Sequence, residues 1–410
     1  MSSWDTGPVT TTAPDWARHT LVAALLYFPV CGLAVLPLGG AGRYLSVLAG
    51  PLALLFLLIW HAREWRPLGH SARRFAMPFL PWLAASLLVF AVYPHATIGD
   101  PFSRVLWALP VAIAAARARV SRNEVYTAAA IGALVYCGVA AYDIFALDTG
   151  RAGADTNAII FAETAMLTTG LALTGAYAAA DAPRWLRLLW LLAGTGGLFA
   201  VALTASRGPL LALLVLVSLL VADTWRRGHR LASTATTVGL LGVLVASLCL
   251  TPLGPRVLLA WTEAVNYLNG DPSVTSIGIR LELWRVALTN IGSQPLLGYG
   301  YTNVFELSKQ LPALHFLPAE ALEPLHHFHS DWFHALMAGG LVLVGGLGAT
   351  LMLLARQARK DLARLWLLGA MVAFGLTDLA FFRKPTLTLF IAAWALLLAS
   401  SPPTGDGRTV

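Results

Sequence analysis

The chain has 410 residues, 57% of them hydrophobic and only 12% charged, about half the charged share of a soluble domain. That balance excludes a soluble globular enzyme. The net charge of +7 is distributed as a topology signal rather than as a nucleic-acid-binding face.

Apolar runs long enough for a spanning helix of roughly 20 residues recur from end to end. Twelve are predicted, centred near residues 29, 53, 84, 109, 135, 167, 195, 215, 240, 344, 370 and 392. The runs at Val105–Ala116 and Pro209–Ala222 are the shortest. None alternates apolar and polar residues as a barrel strand does, so the expected fold class is an all-α integral membrane protein. Residues 1–18 are expected to form a cytoplasmic tail. The first apolar run lacks a basic preface and a small-residue cleavage site, so it reads as a retained helix. Helices 1–9 then occupy 19–250, a large loop 251–328, helices 10–12 329–400, and a disordered cytoplasmic tail 401–410. Cys31, Cys137 and Cys249 lie in or beside apolar runs, which suggests packing and not a disulfide framework or thiolate site.

Basic residues cluster in alternate connections: Arg63, Arg66, Arg73 and Arg74; Arg117, Arg119 and Arg122; Arg184 and Arg187; Arg226, Arg227 and Arg230; Arg356, Arg359, Lys360 and Arg364. The positive-inside rule places these loops in the cytoplasm. Both termini are then cytoplasmic, and the 251–328 loop lies outside with the turns near Arg151, Arg207 and Arg383. The loop is too long to be an idle connection. Two helices are predicted within it, Val257–Leu268 and Ile279–Ile291, followed by the Pro/Gly turn Pro295-Leu-Leu-Gly-Tyr-Gly300. These helices are expected to lie on the membrane surface and cap a cavity.

Positive charge on the outer face calls for an explanation. Arg207, in Thr204-Ala-Ser-Arg-Gly-Pro209, stands between two apolar runs with few polar neighbours. An arginine at the hydrocarbon edge is costly and usually has a partner; its planar fork suits a phosphate or carboxylate. The alternative is a side chain snorkelling to lipid headgroups. Arg280 heads the second loop helix, where Glu282 or the Trp284 ring could equally engage it. Arg151 and Arg383 share the same face and could be interfacial anchors. His329 closes the loop in His326-His-Phe-His-Ser-Asp-Trp-Phe-His334. Its proton equilibrium near neutrality suits a general acid or base. The histidine spacing does not match a metal-binding helix face, and Glu320 or Glu323 could orient a ring. There is no P-loop, GxGxxG, GxSxG or HExxH, so nothing implies a nucleotide, a dinucleotide or a zinc protease. Energy for a reaction on the outer face must come with the substrate.

These residues resemble the O-antigen ligase family of bacterial inner-membrane glycosyltransferases. The resemblance runs from about Leu21 to Leu398 and rests on Ser206-Arg207-Gly208 opening a span, Arg280 with Trp284 before Pro295–Gly300, and His329-Ser330 heading the span after the late loop. Ser330 and His334 depart from the Asn and Gln frequent in relatives. The resemblance implies a fold similar to the C-type membrane glycosyltransferases, with an active site facing the periplasm. It also implies transfer of a glycan from undecaprenyl diphosphate to a lipid A–core sugar with inversion, with no metal or other cofactor. Membrane lipids and the two lipid-linked substrates are then the expected partners, and nucleic acid is not. In that chemistry Arg207 and Arg280 hold the diphosphate, Arg151 and Arg383 are secondary candidates, and His329 is the base. An O-antigen polymerase and a protein O-oligosaccharyltransferase share this logic. A transporter of lipid-linked sugars and a structural scaffold are the readings from other classes. Inverted repeats would mark a transporter, and none is visible in the sequence.

Overall fold

A computed structural model describes residues 14–34, 41–61, 65–94, 99–153, 156–228, 230–270, 274–300, 307 and 326–400. Among these the regular elements are all helices. They are α1 (Asp15–Ala34), α2 (Ala41–Trp60), α3 (Trp65–Ala76), α4 (Leu80–Val92), α5 (Gly99–Arg117), α6 (Arg122–Phe145), α7 (Ala158–Ala178) and α8 (Arg184–Leu203). After these come α9 (Gly208–Arg226), α10 (Arg230–Leu250), α11 (Leu253–Leu268), α12 (Ser276–Asn290), α13 (Asp331–Ala358), α14 (Leu362–Thr377) and α15 (Lys384–Ala399). Each of the twelve predicted centres falls within a helix. Six helical stretches are long and apolar enough to cross a membrane, and a seventh is the second half of α10 with α11, bent by 83°. The chain is thus a multi-pass membrane protein. Glu320 and Glu323 lie outside the described residues, as do residues 1–13 and 401–410, while residues 15–18 of the expected N-terminal tail belong to α1.

The helices start where local chemistry starts them. Ser121 and Glu124 form a reciprocal cap on α6: Ser121 N–H donates to Glu124 Oε2 at 2.7 Å, and the Ser121 hydroxyl accepts from Glu124 N–H. Asn157 Oδ1 caps α7 through Ile159 N–H at 2.8 Å. Both loop helices begin earlier than their periodicity predicts. Helix α11 opens at Leu253 because Pro255 sits in the first turn, where its missing N–H costs nothing. Helix α12 opens at Ser276 because the Thr275 hydroxyl accepts from Gly278 N–H at 3.0 Å. The apolar stripe Leu258, Trp261 and Leu268 on α11 is more than 70% exposed.

Helix α7 is the axis of the bundle. It packs against α6, α8, α9, α14 and α15, and its residues from Phe161 to Ala176 are buried without a break. Small side chains permit that close approach where lipid supplies no hydrophobic drive between helices. At Gly170 an added Cβ would lie 2.0 Å from the Trp366 ring, whose Nε1–H donates to Leu167 O at 3.3 Å.

One predicted span is not continuous. Helix α13 carries non-helical backbone at Gly339 and Gly340, the latter with φ 60° and ψ −157°. The turn after α12 enters this break. Leu341 N–H donates to Pro295 O at 2.9 Å, Val342 N–H to Leu296 O at 3.1 Å, and Tyr299 N–H to Met337 O at 2.7 Å. Backbone within a membrane must be satisfied by protein, and the Pro295–Gly300 turn does that here. Tyr93 ties the turn to α4, its hydroxyl lying 2.7 Å from Gly298 O and 2.8 Å from Gln294 Oε1.

Candidate functional site

Helix ends build the site. The N-terminal ends of α7, α9, α11, α12, α13 and α15 meet the C-terminal end of α14 at one end of the bundle. Helix N-termini carry partial positive charge and unpaired N–H groups, so their convergence favours an anion. Arg151, Arg207, Arg256 and Arg280 line one cavity there with Glu163, Ser206, Ser276 and Asp378. Its volume is about 90 Å³, roughly three waters' share.

Arg207 is the residue before α9. Its guanidinium donates to Arg256 O and Ser276 Oγ, both at 3.2 Å, and lies 3.9 Å from Glu263. Arg151 donates from Nε to Thr204 O at 2.9 Å and approaches Ser206 Oγ at 3.4 Å. The Thr204–Ser206 turn, which Arg151 braces and Arg207 follows, has Ala205 in the left-handed region at φ 51°, a strained conformation for a residue with a side chain. Arg280 reaches the cavity from the start of the second turn of α12. The neighbours that could have absorbed it are engaged elsewhere. Glu282 accepts from Arg285 and Tyr267, and Trp284 stacks on Phe333 while donating to Phe328 O at 3.0 Å. Burial lowers the pKa of all three guanidinium groups. Carboxylates oppose it, Glu263 at Arg207 and Asp378, Glu263 and Glu163 at Arg280, while neighbouring arginines add to it: Arg256 and Arg207 for Arg151, Arg280 and Arg256 for Arg207, and Arg383 for Arg280. Such crowding of like charge is eased by a bound anion.

His329 and Arg383 converge on Asp378, the residue after α14. Arg383 donates to both Asp378 oxygens, at 2.9 and 3.2 Å, and lies 3.9 Å from the buried Glu163. Glu163 in turn accepts from Thr386 at 2.7 Å. Arg383 Nη2 is also 3.1 Å from His327 Nε2. A neutral His327 protonated on Nδ1 accepts that bond, and burial does lower its pKa. The 3.3 Å approach of the same nitrogen to Asp378 is then proximity, not a second bond. Burial works against ionising Asp378, but the Arg383 guanidinium bonded to it holds its carboxyl well below the usual range. His329 has φ 48°, which turns its ring toward Asp378 with Nδ1 at 3.5 Å, longer than a formed hydrogen bond. Beneath it, Ser330 Oγ donates to Gly375 O at 3.1 Å, and the buried Asp331 accepts from Ala380 and Phe381 N–H at 3.1–3.2 Å. These bonds fix the start of α13 on the α14–α15 turn.

The five sequence-predicted residues therefore gather at one end of the bundle. Arg151, Arg207 and Arg280 line the cavity; His329 and Arg383 meet at Asp378, which also lines it. Arg383 is bonded to Asp378 and lies 3.9 Å from Glu163. Asp378, Arg256, Glu163 and Asp331 were not among the sequence candidates. Asp378 had a signal, as a lone acid at an apolar run's end. Arg256 had none beyond its position in the 251–328 loop. The spacing argument against a metal also meets a difference, since His327, His329 and Asp378 offer ligand atoms within 4.8 Å of one another. The Arg383 guanidinium lies against two of these three ligand groups, which opposes a divalent cation there.

Residues 189–348 match a family model described as O-antigen ligase. The match supports assigning the chain to the O-antigen ligase family. It spans α8 to the middle of α13, and so contains Arg207, Arg256, Arg280 and His329. No curated protein matches the chain. The O-antigen ligase assignment supports a glycosyltransferase-type enzyme of O-antigen processing, of the ligase or polymerase type. Such an enzyme implies a lipid-linked glycan donor and a lipid acceptor in a membrane.

Proposed function

We propose that the protein transfers O-antigen glycan from undecaprenyl diphosphate to a sugar hydroxyl of lipid A–core, at the periplasmic face of the inner membrane. The observation that carries this reading is the joint placement of Arg151, Arg207, Arg256 and Arg280 around one cavity whose wall includes Asp378, the partner of His329. In the reaction the acceptor oxygen attacks the anomeric carbon from the face opposite the diphosphate. The bond from that carbon to the phosphate oxygen breaks, and the configuration inverts. Charge grows on the leaving diphosphate, and fixed guanidinium groups stabilise it more in the transition state than in the ground state. Arg207 and Arg280 are the principal diphosphate ligands, with Arg151 and Arg256 beside them.

His329 takes the acceptor proton on Nε2. For that its Nδ1 carries hydrogen and points at Asp378, a contact that shortens when substrate closes the site. Arg383 acts on the Asp378 side: it keeps the carboxylate ionised and is a positioning residue, in place of the diphosphate role its sequence position suggests. Twelve spans with both termini in the cytoplasm are part of this proposal, resting on the alternation of basic connections.

The test is a purified-protein assay with undecaprenyl-diphosphate-linked glycan and rough lipopolysaccharide, run in EDTA. Glycan ladders on lipid A–core are the expected result. Lengthening of the lipid-linked glycan with lipid A–core untouched would assign a polymerase instead.

A further inference from the structure

A second cavity, of about 550 Å³, lies at the opposite end of the same helices. It opens between the C-terminal ends of α7, α9 and α13 and the N-terminal ends of α6 and α14. Five basic side chains line it, Arg122, Arg226, Arg227, Arg359 and Lys360, against three acidic ones. Two of the acids are engaged. Asp361 accepts from Arg122 and, at 2.8 Å, from Arg364; Asp223 pairs with Arg227 at 2.8 Å. Among the described residues no acidic group pairs with Arg226, Arg359 or Lys360. The wall below the charges is apolar, formed by Leu219, Ala222, Leu362 and Leu365.

A ring of cations above an apolar wall, at the end of a membrane bundle, matches an amphiphile with a phosphate head. We propose that this cavity binds a phosphate ester, the headgroup of an anionic membrane phospholipid. Arg226, Arg359 and Lys360 contact the phosphate, and the glycerol and upper acyl carbons lie along the Leu219–Leu365 wall. The site is separate from the arginine–histidine site by the length of α9. It needs no assumption about the reaction performed there. The competing account is that Arg226 and Arg359 only complement the negative ends of α9 and α13. That account gives no preference among lipids.

The experiment is native mass spectrometry of the purified full-length protein with dioleoyl phosphatidylglycerol, dioleoyl phosphatidylcholine or glycerol 1-phosphate. Wild type is expected to retain phosphatidylglycerol over phosphatidylcholine. The Arg226→Gln/Arg359→Gln/Lys360→Gln protein should lose that retention by at least about tenfold, since each cation near an anionic surface adds to the attraction. Glycerol 1-phosphate binding by itself would support the phosphate site and make a soluble ester its source. Equal retention of the two lipids, or unchanged retention in the variant, overturns the proposal. Should the variant fail to fold, photo-crosslinkable phosphatidylglycerol on wild type decides. Label on the α13–α14 turn or the end of α9 supports the site, and label elsewhere overturns it.

Discussion

His329 owes its orientation to a left-handed backbone, at φ 48°, which histidine adopts more readily than most residues. Its replacement by alanine should lower ligation about 10²–10⁴-fold, the usual range for a general base, while the protein still accumulates in membranes. Full activity in that protein would sink the base assignment. Asp378→Asn should lower kcat for ligation and leave KM unchanged, because the ring loses the carboxylate that orients it. An unchanged kcat would reduce Asp378 to packing. Alanine at Arg207 or Arg280 should each lose about 10²–10³-fold, as for other removed transition-state donors. Arg256→Ala should show a smaller loss, read in the same assay. His327 provides a separate pH test. Burial lowers its pKa from the ordinary 6.5, so the unfolded chain binds this proton more readily than the folded one. Stability is therefore expected to fall as pH drops through about 6.5 and below. Thermal melting of His327→Gln should show a shallower decline over that range, and an identical slope in both proteins would count against it.

At the scale of elements, the informative object is the joint between the Pro295–Gly300 turn and the break in α13. Gly340 has φ 60°, and a Cβ there would meet Leu296 backbone at 2.4 Å. Gly298, at φ 58°, would place a Cβ 2.6 Å from Met337 O. Alanine at Gly340 should therefore destabilise by at least about 1–3 kcal/mol from backbone strain alone, measured as a lower melting temperature in detergent. It should also reduce activity, because the segment from Asp331 to Ala338, which follows His329 and Ser330 directly, rests on this joint. A wild-type melting temperature in Gly340→Ala would show that the break relaxes freely. The sequence displayed both halves of the joint, a Pro/Gly turn and a Gly-Gly pair. It could not pair them, because periodicity reports which face of a helix is apolar and not which distant carbonyl replaces a missing turn.

Across the whole molecule, hydropathy made the helices legible, and alternation of charge supplied an orientation. Gathering Arg151, Arg207, Arg280, Arg383 and His329 at one end needed only a shared face. The carboxylates were harder to read. Asp378, Glu163 and Asp331 sit in or beside apolar runs, where a single acid barely changes local composition, and their meaning comes from neighbours far off in sequence. The orientation itself can be measured. In a cysteine-free background, Asp148→Cys lies at the arginine–histidine end and Asp181→Cys at the end with the phosphate cavity. An impermeant maleimide applied to the periplasm should label the first and spare the second. The reverse pattern would invert the proposed sidedness.

The break in α13 also bears on how the protein is made. Leu341 and Val342 cannot take helical partners across the glycine pair, and bare N–H groups in hydrocarbon cost several kcal/mol each. Their acceptors, Pro295 and Leu296, precede them in the chain and so leave the ribosome first. The order of synthesis thus delivers the acceptors before the donors, and α13 can leave the translocon into a docking place already waiting for it.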